Sequence, residues 1–277
     1  MLFASTSLAA RIERAEARLV SDSAASAARR RPGTGAFATA LCGGAATFTG
    51  PGSPLNKVAG LGFAGPLDAG ALAAVERAFM DRGVQVQVEL SSLADPAIAA
   101  LLTRRGYALV NFENVLGRRL PVEPTAPSGE AIVVTESPTE ELPAWLDVVV
   151  TGFGSPDAQG VPSHESFPRG ELECVIADMA STPGFVRYMA RRNGGAAGGA
   201  SMRLSDGIAL LCGAATLPEH RRKGVQGALL ATRLASASRA ECDMAVVTTQ
   251  PGSKSHENVQ RHGFELLYAR AILVRTP

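Results

Sequence analysis

Lysine is nearly missing from this chain: only Lys57, Lys223 and Lys254 occur, and arginine supplies almost all of the positive charge. Acids and bases almost cancel, leaving a formal net charge of +1. Such a balance gives no bulk attraction to nucleic acid or to an anionic membrane. Aromatics are few, at 5% of residues with a single tryptophan, and no aromatic or acidic cluster names a substrate. No stretch approaches the ~20 consecutive apolar residues of a membrane-spanning helix. The opening Met1-Leu2-Phe3-Ala4 is apolar but lacks the basic stretch and long apolar core of a secretory signal. We therefore expect a cytoplasmic protein with neither a membrane nor a nucleic-acid partner. The four cysteines, Cys42, Cys174, Cys212 and Cys242, fall at no metal-binding spacing. They read as free thiols, and no metal is expected.

What is present is an ordinary globular composition, 46% hydrophobic and 19% charged, in a chain of 277 residues, long enough for two domains. Abundant Ala and Gly, with Arg in place of Lys, fit a GC-rich bacterial-type coding bias. The organising stretch runs from His220 to Leu230. An apolar run, Ile208 to Leu217, reads as a buried strand before it, and residues 227–240 read as a helix after it. A strand, a basic glycine-bearing turn and a helix suit a diphosphate. Backbone N–H groups of the first helical turn have no intrahelical acceptor, and the helix dipole adds positive charge there. Arg221, Arg222 and Lys223 place cations at the rim.

Two halves of the chain share one order of elements. Residues 8–30 have helical apolar spacing, and 37–49 read as two strands around Gly43-Gly44. A short strand at 58–63, a helix at 67–82, a strand at 84–90 and a helix at 95–105 follow, then a strand pair at 107–119. In the second half, strands and helices from 131 lead to Asp206-Gly207, a hairpin signal, and then to the basic turn. A strand at 244–249, a turn at Gln250-Pro251-Gly252-Ser253, a short helix at 255–262 and a strand pair at 264–275 complete it. Arg105-Gly106-Tyr107 matches His262-Gly263-Phe264 at an offset of 157 residues. That offset sets Gly65-Pro66-Leu67 against the basic turn, so the first copy lacks the cationic element and carries a proline without an N–H. Domains are expected at 1–120 and 131–277, joined by a stiff proline-bearing linker at 121–130.

Arg221-x-x-Gly224-x-Gln226, followed at once by Gly227, resembles the Arg/Gln-x-x-Gly-x-Gly/Ala signature of the GNAT superfamily of acetyl-CoA-dependent N-acetyltransferases. The order of elements over about 130–277 is also similar to that family. The resemblance implies an α/β (α+β) protein of two tandem GNAT-like domains, each with a mixed, mostly antiparallel sheet flanked by helices, the N-terminal copy being degenerate. It implies an acyltransferase that moves acetyl from acetyl-CoA directly to a primary amine of a small molecule or peptide. The cofactor contacts it implies are Ala215, Thr216, Leu217, Arg222, Lys223, Gly224, Val225, Gln226, Gly227, Ala228, Ser255 and Asn258. A splay after the long strand would admit the pantetheine arm. A backbone N–H at Thr216 or Leu217 would meet the thioester oxygen.

The attacking amine needs a base, and Glu173, Glu219 and His164 are the candidates. Val259 stands where the family often has a tyrosine that protonates the leaving thiolate. Ser255, His256, a water or Tyr268 remain as substitutes. Glu173 and Tyr268 are carried forward as the catalytic pair. The alternative is a non-catalytic acyl-CoA-binding regulatory module. An unrelated nucleotide-binding protein is disfavoured, because no Walker-type Gly-Lys-Ser/Thr is present. The chain would be a monomer or a homodimer.

Overall fold

The computed structural model describes residues 2–122, 132–155 and 167–276. Residues 123–130 of the expected linker, and His164, lie outside them. The chain divides into two compact units. The first comprises Met1–Leu116, Thr248–Pro251 and Leu266–Pro277, and the second Gly117–Val247 and Gly252–Glu265.

The first unit opens with α1 (Thr6–Arg30), whose Ser5 hydroxyl accepts the Leu8 N–H at 3.1 Å and stops fraying at the first turn. Its stripe of Ala9, Ile12, Ala15, Leu19 and Val20 is buried. β1 (Phe37–Leu41) and β2 (Gly44–Phe48) join through Cys42 and Gly43, both at positive φ, as a type I′ hairpin requires. β3 (Lys57–Ala59), α2 (Ala69–Met80), β4 (Val86–Ser91), α3 (Pro96–Arg104) and β5 (Ala108–Arg119) follow. β3 and β4 run parallel, whereas β1, β2 and β3 pair antiparallel. Leu72, Val75 and Phe79 of α2 and Ile98 and Leu102 of α3 pack with Val58, Val86 and Val88 into the core.

In the second unit, β6 (Ile132–Glu136), α4 (Leu142–Phe153), α5 (Arg169–Ala180), β7 (Phe185–Arg192), β8 (Gly195–Ser205), β9 (Ile208–Leu210) and β10 (Ala214–Thr216) precede α6 (Val225–Arg239), β11 (Met244–Thr249) and α7 (Lys254–Arg261). The strand order is β11-β9-β8-β7-β6, with β10 beside β8. Only β9 and β11 pair in parallel, while β6 to β9 form an antiparallel meander. Glycines in β8 set the layer spacing. A Cβ on Gly199 would sit 2.6 Å from Val149 Cγ2, and one on Gly198 would sit 2.9 Å from Val225 Cγ1. So α4 and α6 both lie directly against the sheet. Trp145 of α4 is buried and donates its indole N–H to Tyr188 O at 3.1 Å.

The last strand departs from the expectation. Residues 264–275 form one strand, β12 (Glu265–Arg275), not a pair, and residues 107–119 likewise give the single strand β5. β12 runs antiparallel to β4, from Arg270 opposite Ser91 to Arg275 opposite Val86. It lies between β4 and β5 in the first unit's sheet. The closing strand of the second repeat thus completes the first repeat.

What holds it there is a buried ladder of charge. Arg270, Glu13 and Glu89 are almost fully buried. Arg270 Nε donates to Glu13 Oε1 at 2.8 Å, and its Nη1 stands 3.8 Å from Glu89 and 3.9 Å from Glu113. Lys57 binds Glu89 at 2.9 Å and reaches Glu16 at 3.9 Å. Across β3, β4, β12 and β5 the signs alternate: Lys57, Glu89, Arg270, Glu113. Burial alone would discharge these groups. The Glu13 carboxylate nevertheless keeps Arg270 well above its usual range, and Lys57 and Arg270 hold Glu89 below the carboxylate range. Glu13 and Glu113 are the exceptions: burial pushes Glu13 up against the pull of Arg270 and Tyr268, and Glu113 is pushed up to about 7 by burial and by the Glu89 charge, against the pull of Lys57 and Arg270. A second tie at the end of β12 joins Arg275 to buried Glu76 at 2.8 Å, which Arg105 also grips.

Two outcomes follow. Arg270→Met leaves Glu13 buried without its cation and Glu89 with Lys57 alone, and should cost about 3–5 kcal/mol in denaturant unfolding. Glu113 binds its proton more tightly folded, at about 7, than at the ordinary 4.5. Its contribution is therefore present below pH 4.5 and lost as the pH rises through 7. Glu113→Gln should flatten that fall in stability between the two values, and an unchanged slope would refute the assignment.

Candidate functional site

The apolar run 208–217 is not one strand. β9 hydrogen-bonds β11 through Val246 opposite Leu210, and the Leu211 N–H still reaches Val246 O at 2.8 Å. At Gly213, which has φ 58°, the chain turns aside. β10 then pairs with β8 alone. Alternate residues of an antiparallel ladder turn both polar groups toward the partner. Gly213 O accepts from Ser201 N at 3.2 Å and Leu217 N donates to Ala197 O at 3.0 Å, so these residues face β8. Ala214 and Thr216 therefore direct their N–H and C=O to the edge that carries no strand. Of the two expected donors, Leu217 is spent and Thr216 is the one on the open edge. Ala215 is buried, its Cβ 2.6 Å from where a side chain on Gly152 would start.

β10 leads through Pro218-Glu219-His220 to the basic turn, and Arg222 and Gly224 both take positive φ, at 60° and 83°. Gly224 is the N-cap of α6 and offers no side chain to the helix end. The first i→i−4 bond runs from Ala228 N to Gly224 O at 3.0 Å, which leaves the N–H groups of Val225, Gln226 and Gly227 without intrahelical acceptors. Val225 itself is buried and anchors the turn. Gln226 Oε1 accepts from the Thr216 hydroxyl at 3.2 Å, tying the open strand edge to the helix end. The cations divide. Arg222 is exposed, Lys223 is exposed with Nζ on Glu219 O at 2.9 Å, and Arg221 turns back to the carbonyls of Gly152 and Ser155 at the end of α4. Arg221 therefore fixes the turn to α4 and compensates that helix's negative end.

α7 follows β11 and is capped by Ser253, whose hydroxyl accepts from His256 N at 3.2 Å. Ser255 on it is exposed, Asn258 is half-buried and Val259 is buried in place of the family's tyrosine. The neighbouring His256 accepts the Gly252 N–H on Nδ1 at 3.2 Å, so its neutral ring carries the proton on Nε2. That Nε2 is buried and has no hydrogen-bond partner.

The two residues carried forward as catalytic fall in different units. Tyr268 lies in the first unit, buried, its hydroxyl donating to Glu13 at 2.9 Å inside the charge ladder. β12, expected within the domain 131–277, belongs to the first unit, and Tyr268 with it. Burial and the Glu13 charge also push that phenol far above its ordinary range. Glu173 on α5 is bound by Arg169 at 2.9 Å, which also holds Asp147 at 2.6 Å and Thr151 at 3.1 Å. Glu219 is exposed in the turn.

One residue escaped the sequence reading. Arg233 of α6 is buried and donates to Leu229 O, Ser201 O and Gly213 O at 3.3, 3.1 and 3.4 Å. The signal was available, since Arg233 falls four residues after Leu229 and four before Ala237 on the buried stripe. Among the described residues, no group of His, Cys, Asp and Glu could hold a metal ion, and no helix is long and apolar enough to cross a membrane.

No protein-family model and no curated protein matches the chain. Solved structures do. A GCN5-related N-acetyltransferase from Kribbella flavida superposes with a TM-score of 0.61 at 19% identity, over 94% of this chain and 95% of that one. A tandem GNAT protein from the clavulanic acid biosynthesis pathway gives 0.59 at 14% identity, over 85% of this chain and 78% of that one. A GCN5-related N-acetyltransferase from Sphaerobacter thermophilus gives 0.56 at 16% identity, over 74% and 66%. The parallel pair that parts at Gly213 and these superpositions over most of the chain identify the fold as that of the GCN5-related N-acetyltransferases, in tandem arrangement.

Proposed function

We propose that the second unit binds acetyl-CoA and transfers its acetyl group directly to a primary amine of a small molecule or peptide. The observation that carries this reading is the junction of β10 and α6. An unpartnered strand edge ends beside a helix start with three free N–H groups, joined to it by Thr216 and Gln226. A diphosphate suits the helix start, with Arg222 and Lys223 at its rim. A pantetheine arm, with its own amides, suits the strand edge. The Thr216 N–H then lies where the thioester oxygen would gather negative charge as the amine attacks. The C–S bond breaks, and the thiolate takes a proton. The proton that the attacking amine gives up returns to the sulfur through water, and the unspent Nε2–H of His256 is our choice of hydrogen-bond donor to the departing sulfur, since Val259 offers none. Glu173 is engaged by Arg169, and we assign amine deprotonation to water at the open edge. The amine is named only by class. The first unit lacks a basic turn at Gly65-Pro66-Leu67, and we read it as an empty copy.

Val259 and the Arg169–Glu173 pair favour one other reading, an acyl-CoA-binding regulatory module without transfer. Calorimetric titration with acetyl-CoA, CoA and ATP should give one site for acetyl-CoA and none for ATP, and thiol release in the presence of an amine panel separates the two readings. Gly224→Glu places a carboxylate at the phosphates and should abolish binding in a folded protein. Retained CoA affinity in that variant would refute the site, and two acetyl-CoA sites would refute the empty first copy.

A further inference from the structure

Arg233 has a task that core packing does not explain. A buried guanidinium is costly unless its donors are satisfied. Among the described residues no carboxylate pairs with this one, and its partners are the three backbone carbonyls of Leu229, Ser201 and Gly213. Burial pulls it down to about 10, so it stays charged at neutral pH. Two of those carbonyls flank the place where β10 leaves β11. Gly213 is the turning residue, and Ser201 is the β8 residue whose N–H bonds it. The Ser201 hydroxyl takes the intervening carbonyl of Cys212. The Leu211 N–H, just before the break, reaches Val246 O of β11. Arg233 and Ser201 thus bind the carbonyls at the break from the β8 and α6 side, and they oppose its return to a regular ladder with β11.

We infer that Arg233 is a positioning residue for acetyl transfer: its guanidinium, with the Ser201 hydroxyl, fixes the parting of β10 from β11 and so the aim of the Thr216 N–H at the thioester. The inference rests on the acetyl-CoA reading above. It also explains why the clamp sits on α6. Val225 to Arg233 spans about 12 Å along one helix at 1.5 Å per residue. The same rigid element therefore holds the phosphate end and, through Arg233, the acyl end of one extended ligand, and their separation is fixed.

The test separates the two ends. Arg233→Lys keeps the charge and loses the planar fork, and Ser201→Ala removes the second tie without touching α6. Each is titrated calorimetrically with acetyl-CoA and with adenosine 3′-phosphate 5′-diphosphate, the nucleotide half of the cofactor, after thermal melts confirm folding. We expect Arg233→Lys to weaken acetyl-CoA binding about tenfold, equal to ~1.4 kcal/mol, while the nucleotide half binds as in wild type. Ser201→Ala should act in the same direction by a smaller factor. The infrared carbonyl stretch of bound acetyl-CoA should move toward its free value in both variants, a change that loosened packing elsewhere would not produce. Equal losses for both ligands, or an unmoved carbonyl band, would overturn the positioning role. Wild-type protein that binds neither ligand would overturn the acetyl-CoA reading itself.

Discussion

Backbone polar groups in a protein interior must find partners, and the second unit is arranged around one place where they do not. A continuous strand from Ile208 to Leu217 would have given β11 a full parallel neighbour. The chain instead breaks at Gly213, and the released groups are divided. Carbonyls on one side go to Ser201 and Arg233. The polar groups of Ala214 and Thr216 on the other side are turned to the open edge. Gly198 and Gly199 let α4 and α6 close on β8 at this level, and Arg221 ties the following turn to α4. The helix start and the open strand edge therefore form one continuous polar strip.

The first unit solves a different problem with the same fold. Its corresponding parallel pair, β3 and β4, is crossed by a row of buried ions instead of ending at a basic turn. Four carboxylates face two cations there, and a proton held on Glu113 near neutrality removes one of the two surplus negative charges. Such a row favours specific neighbours, because each strand must present the right sign to the next. Arg270 on β12 supplies the cation between Glu89 and Glu113.

Much of this was legible in the residues. The helix that starts at Asp95, the Asp206-Gly207 hairpin and the strand–basic turn–helix order are short-range chemistry, and the folded chain keeps them. The break at Gly213 was hidden because a buried strand and a strand with a kink share the same apolar pattern. The glycines Gly198 and Gly199 lie within β8, where helices press from both faces. The exchange of β12 was invisible in principle. Its partner ladder depends on Glu13 and Glu89, more than 180 residues upstream, and no local pattern encodes that distance. Tyr268 goes with β12 into that ladder.

The placement of β12 reverses the usual order of assembly on the ribosome. Domains made first commonly fold first, while the rest of the chain is still being synthesised. Here the unit built from the earliest residues holds an open slot between β4 and β5, lined by Glu89 and Glu113, until residues near 270 have been translated. The second unit contains nearly all of its own strands before that moment. The half made first is therefore the half finished last, and its completion reports that translation has passed through both repeats.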